Sequence, residues 1–117
     1  MREPTPPVPA RLFGDHFLAA FDAGERACID RLRSLCREVF GPQAAEVGRQ
    51  DSFAWDTFRT LAREGMVATA FPKAYGGSDA RQLLRVRMLE ELGRVCSTSA
   101  SLITGTDLSS RAIVAGG

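Results

Sequence analysis

The sequence predicts an all-α domain built as an up-and-down helical bundle, and three observations support this fold class. Apolar residues recur at three- and four-residue spacing in several separate stretches, which is the period of an amphipathic helix. Acidic or hydroxyl residues stand where these stretches begin, as helix N-caps do, and glycine or proline interrupts them. The chain has 117 residues, 44% of them hydrophobic and 25% charged, which suits one domain with a single core.

Residues 1–21 are predicted to stand apart from the bundle, as a proline-rich head followed by a short amphipathic segment. Four of the residues from Met1 to Ala10 are prolines, which lack an amide donor and restrict the backbone, so we expect an extended or mobile tail. From Arg11 to Phe21 the apolar spacing favours a short helix. His16 lies there without a serine, cysteine or carboxylate pattern to orient it as a base, so we expect a surface or packing role for it.

The domain proper, residues 22–117, is predicted to begin with a long helix. Asp22 and Glu25 have the spacing of a capping box, in which each side chain accepts a hydrogen bond from the other residue's amide. An apolar stripe follows at helical spacing: Cys28, Leu32, Leu35, Cys36, Val39 and Phe40. The pair Gly41-Pro42 is predicted to kink or interrupt this helix, because proline loses one backbone hydrogen bond and clashes with the preceding turn. The helix is then expected to resume through Val47.

The next predicted helix is short and ends at a glycine. Asp51 or Ser52 is expected to cap it, and Gly65 to stop it. Its inward stripe is predicted to contain Trp55, Phe58, Leu61 and Ala62. The apolar run 66–71 that follows fits either a strand or a buried connector, and periodicity does not choose between them. The stretch 71–77 is predicted to be irregular because it contains a proline and two adjacent glycines.

The last third of the chain is predicted to contain a central helix and a final one. Asp79 and Gln82 offer a second capping-box spacing, which opens a helix to about Val95. Apolar residues occupy much of the circumference of this helix, so we expect it to pack on more than one side. The stretch 97–104 is rich in hydroxyl groups, and a final helix is expected from Asp107 towards Ala115.

Composition excludes several classes of partner. The formal net charge is +1, which provides no broad positive field for nucleic acid or an anionic bilayer. No apolar run approaches the ~20 residues of a membrane-spanning helix, and the N-terminus has no apolar signal core. The three cysteines are odd in number and form no C-x-x-C pair, which favours reduced, packed thiols. We therefore expect a cytoplasmic protein.

The sequence contains no complete catalytic or metal-binding constellation. Glu90 and Glu91 are adjacent, so on a helix they diverge, and no Glu-x-x-His partner accompanies them, which favours a solvated or ion-paired face. Gly76 and Gly77 lack the spacing of a phosphate-binding loop and indicate a turn. The hydroxyls of residues 97–104 have no neighbouring base that would make one of them a nucleophile.

The order of these elements resembles one known family. Phe71-Pro72-Lys73-Ala74-Tyr75-Gly76-Gly77, then twelve residues, then Glu90-Glu91-Leu92-Gly93, is similar to the "(V/F)-P-x-x-Y-G-G … E-E-L" signature of the acyl-CoA dehydrogenase N-terminal domain. The resemblance extends from Glu25 to Gly117 and includes the helix with its proline and the stretch Trp55 to Val67. Departures are Ser78-Asp79-Ala80 in place of the usual Leu-Gly-Leu, and arginines at 85 and 87 where the family is commonly apolar.

The resemblance implies part of an enzyme rather than a whole one. Members are FAD-dependent flavoproteins, usually homo-oligomeric, that oxidise an acyl thioester at its α,β bond in fatty acid metabolism. The flavin and the catalytic base belong mainly to later domains, so by resemblance this chain would be inactive and flavin-free alone. The family's first domain usually continues with one more helix, and an uncovered apolar face is therefore expected here.

By resemblance, part of the acyl pocket is assigned to the segment after "E-E-L". The matching positions are Ala100, Ser101, Thr104 and Leu108, whose small or hydroxylated side chains would suit a short or polar acyl group. The resemblance leaves open whether the thioester carrier is CoA or an acyl carrier protein. Two alternatives also stay open: a non-catalytic helical binding module or partner subunit, and a thiol or metal module that uses the three cysteines and His16.

Overall fold

The computed structural model describes residues 15–116, with side chains from Leu18 onward. Five α-helices account for most of this part: α1 Ala23–Leu35, α2 Gly41–Arg49, α3 Trp55–Arg63, α4 Gln82–Gly93 and α5 Ser97–Gly116. Short 3₁₀ turns span Asp15–Ala20 and Lys73–Tyr75, and no strand occurs within residues 15–116. The all-α prediction is confirmed. The proline-rich head, the first residues of the amphipathic segment and the His16 side chain lie outside the described part.

Helix α1 begins where the capping box predicts. The Glu25 amide donates to Asp22 Oδ1 over 2.8 Å, and the Asp22 amide donates to Glu25 Oε1 over 3.1 Å. Two amides that the first helical turn leaves without an intrahelical partner are thereby satisfied. Ile29, Leu32 and Leu35 form the buried face of this helix.

A single π-helical turn, Cys36–Phe40, joins α1 to α2 and accommodates the proline. The Gly41 amide donates to the Cys36 carbonyl five residues earlier, one residue further back than in an α-helix. A methyl group on Gly41 would lie only 2.7 Å from that carbonyl oxygen, so a residue without a side chain suits this position. The α-helix is interrupted as predicted, but at Cys36–Phe40, just before Gly41-Pro42, and it resumes at Gly41 and continues as far as Arg49.

Helix α3 departs from two predictions. Its N-cap is Ala54, without a side-chain cap bond, so the expected caps Asp51 and Ser52 are wrong. Its buried residues are Thr57 and Leu61, whereas Trp55, which is 55% exposed, and Ala62 face solvent, so the predicted inward stripe is wrong at these two positions. The Trp55 ring packs at the surface against Phe53, with ring centroids 4.6 Å apart, instead of entering the core.

The connector between α3 and α4 contains turns and bends, which excludes the strand alternative for residues 66–71. Gly65 ends α3 with a φ of +72°, as predicted. Asp79 does not cap α4: it has a φ of +47°, and its amide donates to the Phe71 carbonyl over 2.9 Å. The N-cap is Arg81, without a side-chain cap bond, and α4 ends at Gly93. The second capping-box prediction is therefore wrong, because the Phe71 carbonyl holds the Asp79 amide.

Helix α5 is one continuous helix of 20 residues, not the hydroxyl-rich stretch and separate final helix that the sequence indicated. Its hydroxyl side chains bond within the helix itself: Ser101, Thr104, Thr106 and Ser109 each donate to the carbonyl four residues earlier. Because these hydroxyls are satisfied locally, they do not interrupt the backbone ladder.

The core lies between α1, α4 and α5, and α4 contacts both of its neighbours, as its apolar circumference predicts. Its fully buried side chains are Ile29, Leu32, Phe40, Leu61, Met88, Leu92 and Ser99. A smaller cluster of Val47, Ala54 and Cys96 lies beneath the start of α3.

One residue of this core, Ser99, buries a hydroxyl group without a hydrogen bond. Ser99 is 1% exposed and its Oγ has no hydrogen-bond partner. Burying an unpaired hydroxyl costs about 1–3 kcal/mol, so we expect Ser99→Ala to raise the free energy of unfolding by about 1 kcal/mol in urea titrations. The matched control is Ser110→Ala, because Ser110 is equally buried but its Oγ donates to the Asp107 carbonyl over 2.9 Å. Equal effects of the two substitutions would contradict this account.

Candidate functional site

The four residues assigned to the acyl pocket all lie on α5. Ala100, Thr104 and Leu108 follow one another at four-residue spacing, which places them on one face of the helix. Ala100 is half-buried against the main core. Ser101, Thr104 and Leu108 are exposed, Leu108 to 72%. Among the described residues these side chains therefore form an open stripe and not a closed pocket.

An open groove of about 490 Å³ runs beside this stripe. Its walls are Phe53, Phe71, Ser101, Leu102, Gly105, Thr106, Ser109, Ser110 and Ile113. Of the four assigned residues, only Ser101 lines it, together with Phe71 of the sequence motif. The hydroxyls of Ser101, Thr106, Ser109 and Ser110 donate to carbonyls of their own helix. The groove consequently presents a mainly apolar surface.

Sequence reasoning missed Gly105 and Ser109 as lining residues of this groove. The signal was present, because Ser101, Gly105 and Ser109 are small residues at four-residue spacing. That spacing has meaning only if residues 97–116 form one helix, which the sequence reading did not predict.

The motif residues 71–77 form a tight loop closed by backbone hydrogen bonds. The amides of Tyr75 and Gly77 both donate to the Pro72 carbonyl, over 3.0 and 3.2 Å. Gly76 has a φ of +85°, which glycine adopts without steric cost. A methyl group on Gly77 would lie 2.1 Å from the Phe71 carbonyl oxygen, so the loop closes over the place where a side chain would be. The loop directs Phe71 to the groove and leaves Tyr75 exposed.

The family model described as "Acyl-CoA dehydrogenase, N-terminal domain" matches residues 22–117. The chain belongs to the acyl-CoA dehydrogenase family. The motif loop, the groove and the exposed stripe on α5 are thus parts of an acyl-CoA dehydrogenase N-terminal domain. No solved structure matches the chain.

Curated relatives within and around this family are similar over most of the chain. The 3-sulfinopropanoyl-CoA desulfinase of Paraburkholderia xenovorans is 28% identical over 72% of this chain and 22% of its own length. The cyclohex-1-ene-1-carbonyl-CoA dehydrogenase of Geobacter metallireducens is 33% identical over 71% of this chain and 22% of its own length. The short-chain specific acyl-CoA dehydrogenase of Clostridium acetobutylicum is 27% identical over 62% and 19%. The matched region thus spans about a fifth of each relative.

The paired glutamates of the acyl-CoA dehydrogenase motif differ in environment. The Glu91 side chain is 7% exposed and accepts from Arg87 Nη2 over 2.6 Å and from Arg33 Nε over 3.1 Å, with Arg94 at 3.9 Å. Glu90 is 38% exposed and lies 3.4 Å from Arg87. The ion-paired alternative is confirmed for Glu91, and because Arg33 belongs to α1, this carboxylate joins α1 to α4.

The three thiols of this acyl-CoA dehydrogenase domain, Cys28, Cys36 and Cys96, are free. Burial, followed by the negative charge of Glu91, raises the pKa of the Cys36 thiol to about 11. Burial also raises the pKa of Cys28. A thiol is nucleophilic and metal-binding as the thiolate, and burial disfavours the thiolate form of Cys28 and Cys36. Within residues 15–116 no three His, Cys, Asp or Glu residues are grouped so that they could share a metal ion.

Two surface ion pairs tie neighbouring elements of the domain together. Arg81 donates to both carboxylate oxygens of Glu25 over 2.7 and 2.9 Å, and this hydrogen bonding lowers the pKa of Glu25. Arg31 holds Glu64 in the same bidentate way. None of the helices in the described part has both the length and the apolar character that a membrane span requires.

Proposed function

We propose that this chain is the N-terminal part of an acyl-CoA dehydrogenase-like flavoenzyme, which oxidises an acyl thioester at its α,β bond with FAD. The observation that carries the proposal is the exposed stripe of Ser101, Thr104 and Leu108 beside an apolar groove. In this proposal the stripe forms one wall of the acyl pocket, and the remaining polypeptide of the enzyme supplies the others. By resemblance to the family, we also propose that residues 22–117 belong to its N-terminal helical domain and that residues 1–21 form a separate head.

The groove does not fit the flavin itself. FAD carries a diphosphate, which proteins hold with helix N-termini, backbone amides or cationic side chains. The walls of the groove contain neither lysine nor arginine, and their hydroxyls donate within their own helix. We therefore assign flavin binding and the catalytic base to the later domains, and expect this chain to be inactive alone.

A short or polar acyl group is the proposed substrate. Ser101 and Thr104 are compact, and although their hydroxyls donate within α5, the hydroxyl oxygens can still accept a hydrogen bond from a polar acyl group. The relatives support a small group, because they are named for 3-sulfinopropanoyl, cyclohex-1-ene-1-carbonyl and short-chain acyl-CoA thioesters. CoA is accordingly the proposed carrier, in a cytoplasmic enzyme that is homo-oligomeric when complete.

A non-catalytic binding module or partner subunit is the second candidate, and it is favoured by the exposure of Leu108, Ile113 and Val114 on α5. Purifying this chain and the product of its complete reading frame side by side separates the two functions. The enzyme proposal expects a colourless chain and a yellow complete product that reduces a dye with short acyl-CoA. A complete product without flavin would favour the binding module. A yellow, dye-reducing preparation of these 117 residues alone would overturn the domain assignment.

Thr104 offers a direct test of the pocket wall. In the complete enzyme we expect Thr104→Phe to lower kcat/KM about tenfold or more for the longest accepted acyl chains, and to affect the shortest much less. The reason is that a ring at this position would occupy space that longer chains need. Comparing kcat/KM across acyl-CoA chain lengths provides the measurement, with Ala62→Phe on the exposed side of α3 as the matched control. An unchanged chain-length profile would remove Thr104 from the pocket.

A further inference from the structure

The second half of α5, residues 104–116, contributes little to the hydrophobic core. The last residue of α5 in the core cluster is Ile103. Within the described second half, Ser110 is the one buried residue, and its hydroxyl donates to a carbonyl of its own helix. Leu108 and Ile113 are 72% and 66% exposed. Because a helix in a bundle is held mainly by the burial of its apolar face, this half needs another contact to fix its position.

An ion pair between α4 and α5 provides such a contact. Arg85 Nη1 donates to Asp107 Oδ2 over 2.8 Å, and the two side chains are only 13% and 20% exposed. A short hydrogen bond between charged groups that are largely shielded from water is stronger than an exposed ion pair, and it is directional. Asp107 follows Thr104 by three residues and directly precedes Leu108, so the pair holds the part of α5 that carries the exposed stripe.

Stability alone does not account for an arginine at position 85. The Arg85 Nε atom is buried and has no hydrogen-bond partner, which makes this side chain costly to bury. A well-packed apolar pair of similar volume usually gives a fold equal or greater stability than a buried ion pair does. What the hydrogen-bonded pair adds is a fixed register between the two helices, because the bond between Arg85 and Asp107 forms at only one rotation and one axial position of α5.

Arg111 also approaches Asp107, but it does not connect the two helices. Its Nη2 atom lies 3.9 Å from the same carboxylate oxygen, and Arg111 is 53% exposed and belongs to α5 itself. Arg111 can therefore compensate the charge of Asp107 without holding α5 against α4. Removing the Arg85 guanidinium would break the connection between the helices and leave the Asp107 carboxylate beside a positive charge. The effect of position can thus be separated from the effect of an unpaired charge.

We propose that Arg85 is a positioning residue for the acyl pocket. Through Asp107 it holds residues 104–116 against α4, and this half of α5 carries Thr104 and Leu108 of the exposed stripe and most of the α5 residues that line the groove. Without the pair, the second half of α5 separates from α4 more often, and the pocket wall no longer has one fixed position. The inference rests on the proposed function, because it concerns a wall of the same pocket.

Hydrogen exchange of this chain tests the positioning role directly. In Arg85→Met we expect the amides of residues 106–112 to exchange about tenfold faster than in the wild type, the factor that corresponds to losing a hydrogen bond between charged groups. The amides of α1 are expected to keep their protection. The matched control is Arg31→Met, which breaks an ion pair between α1 and Glu64 and does not involve α5. This control is expected to leave the exchange of residues 106–112 unchanged.

Kinetics of the complete enzyme test the connection to the pocket. In Arg85→Met we expect the dependence of kcat/KM on acyl-CoA chain length to become several-fold flatter, mainly through a higher KM for the preferred substrate, with kcat little changed. A merely structural role would lower kcat/KM by the same factor for every chain length. Arg85→Lys is expected to restore most of the profile, because an ammonium group can still donate to Asp107. Arg31→Met is expected to keep the wild-type profile.

Circular dichroism verifies that the variants keep their helices. If Arg85→Met loses them, Arg85→Met combined with Asp107→Leu takes its place with the same expectations, because it replaces the ion pair with apolar residues and leaves no unpaired carboxylate. Unchanged exchange of residues 106–112 in a folded variant would overturn the positioning role. Faster exchange with an unchanged chain-length profile would overturn the connection to the pocket. A complete wild-type product without flavin would refute the proposed function itself, and the connection to the pocket with it, whatever the exchange rates.

Discussion

Replacing Glu91 with leucine is expected to lower the free energy of unfolding by about 3–5 kcal/mol, the usual cost of removing one partner of a buried ion pair. The Arg87 side chain is 4% exposed, and its shortest contact to a carboxylate is the 2.6 Å bond to Glu91. Without that carboxylate the guanidinium would remain buried after losing its 2.6 Å partner, while Glu90 lies further away, at 3.4 Å, and is 38% exposed. Arg33 would lose its bond to α4 at the same time. Urea unfolding followed by far-UV circular dichroism measures the loss.

Two further variants separate this explanation from a general loss of helix. The double variant Arg87→Met with Glu91→Leu is expected to recover most of the stability, because well-packed apolar residues replace a buried ion pair at little cost. Asp56→Leu is expected to leave the stability unchanged, since the Asp56 side chain is fully exposed in its ion pair. If the free energy of unfolding of the Glu91→Leu variant falls by less than about 1 kcal/mol, the ion pairs of Glu91 contribute no more than exposed ion pairs do.

Gly77→Ala is expected to destabilise the domain by about 3 kcal/mol, the upper end of the cost of inserting a methyl group into a packed site. The new methyl carbon would lie 2.1 Å from the Phe71 carbonyl oxygen and 2.4 Å from the Phe71 Cβ. Both atoms belong to the motif loop, so relief requires the loop to open and Phe71 to leave the groove. Thermal and urea unfolding measure the change in stability.

Alanine substitutions at two other glycines provide stability changes to compare with that of Gly77→Ala. Gly76→Ala is expected to cost less, about 1–2 kcal/mol, because a φ of +85° strains any side-chain-bearing residue but no atom lies in the way. Gly48→Ala is expected to stabilise the chain by about 0.5–1 kcal/mol, since Gly48 lies within α2 with open space where its methyl group would be. If Gly77→Ala destabilises the domain less than Gly76→Ala does, the close approach of the loop backbone is not the reason for glycine at position 77.

Features whose causes lie within a few residues were predictable. The capping box at Asp22 needs only Glu25, three residues away, and the interruption of the first helix needs only Pro42. The apolar period of α4 was sufficient to predict a helix packed on two sides. The motif 71–77, with Glu90-Glu91-Leu92 twelve residues later, predicted the family, which the match over residues 22–117 bears out.

Features that depend on distant partners were not predictable. Asp79 has the spacing of an N-cap, but its amide is bound by the Phe71 carbonyl, so its backbone takes a conformation that excludes capping. Trp55 has the spacing of a core residue, but Thr57 and Leu61 meet the core and turn the indole outwards. The assignment of Ala100, Ser101, Thr104 and Leu108 to a substrate pocket stays a prediction, because in the described part of the chain these side chains form an open stripe and not a closed pocket.

The sequence by itself determined the helical class, the start of α1, the break at Pro42 and the motif that indicates the family, because each depends on local backbone chemistry or on a short pattern of residues. Only the tertiary structure decided which face of each helix is buried, and it brought Arg33 of α1 to the Glu91 carboxylate of α4. It also closed the loop over Gly77 and placed Phe71 beside Ser101 in one groove. Burial and charge pairing are collective: a side chain's free energy depends on neighbours that come from far along the chain.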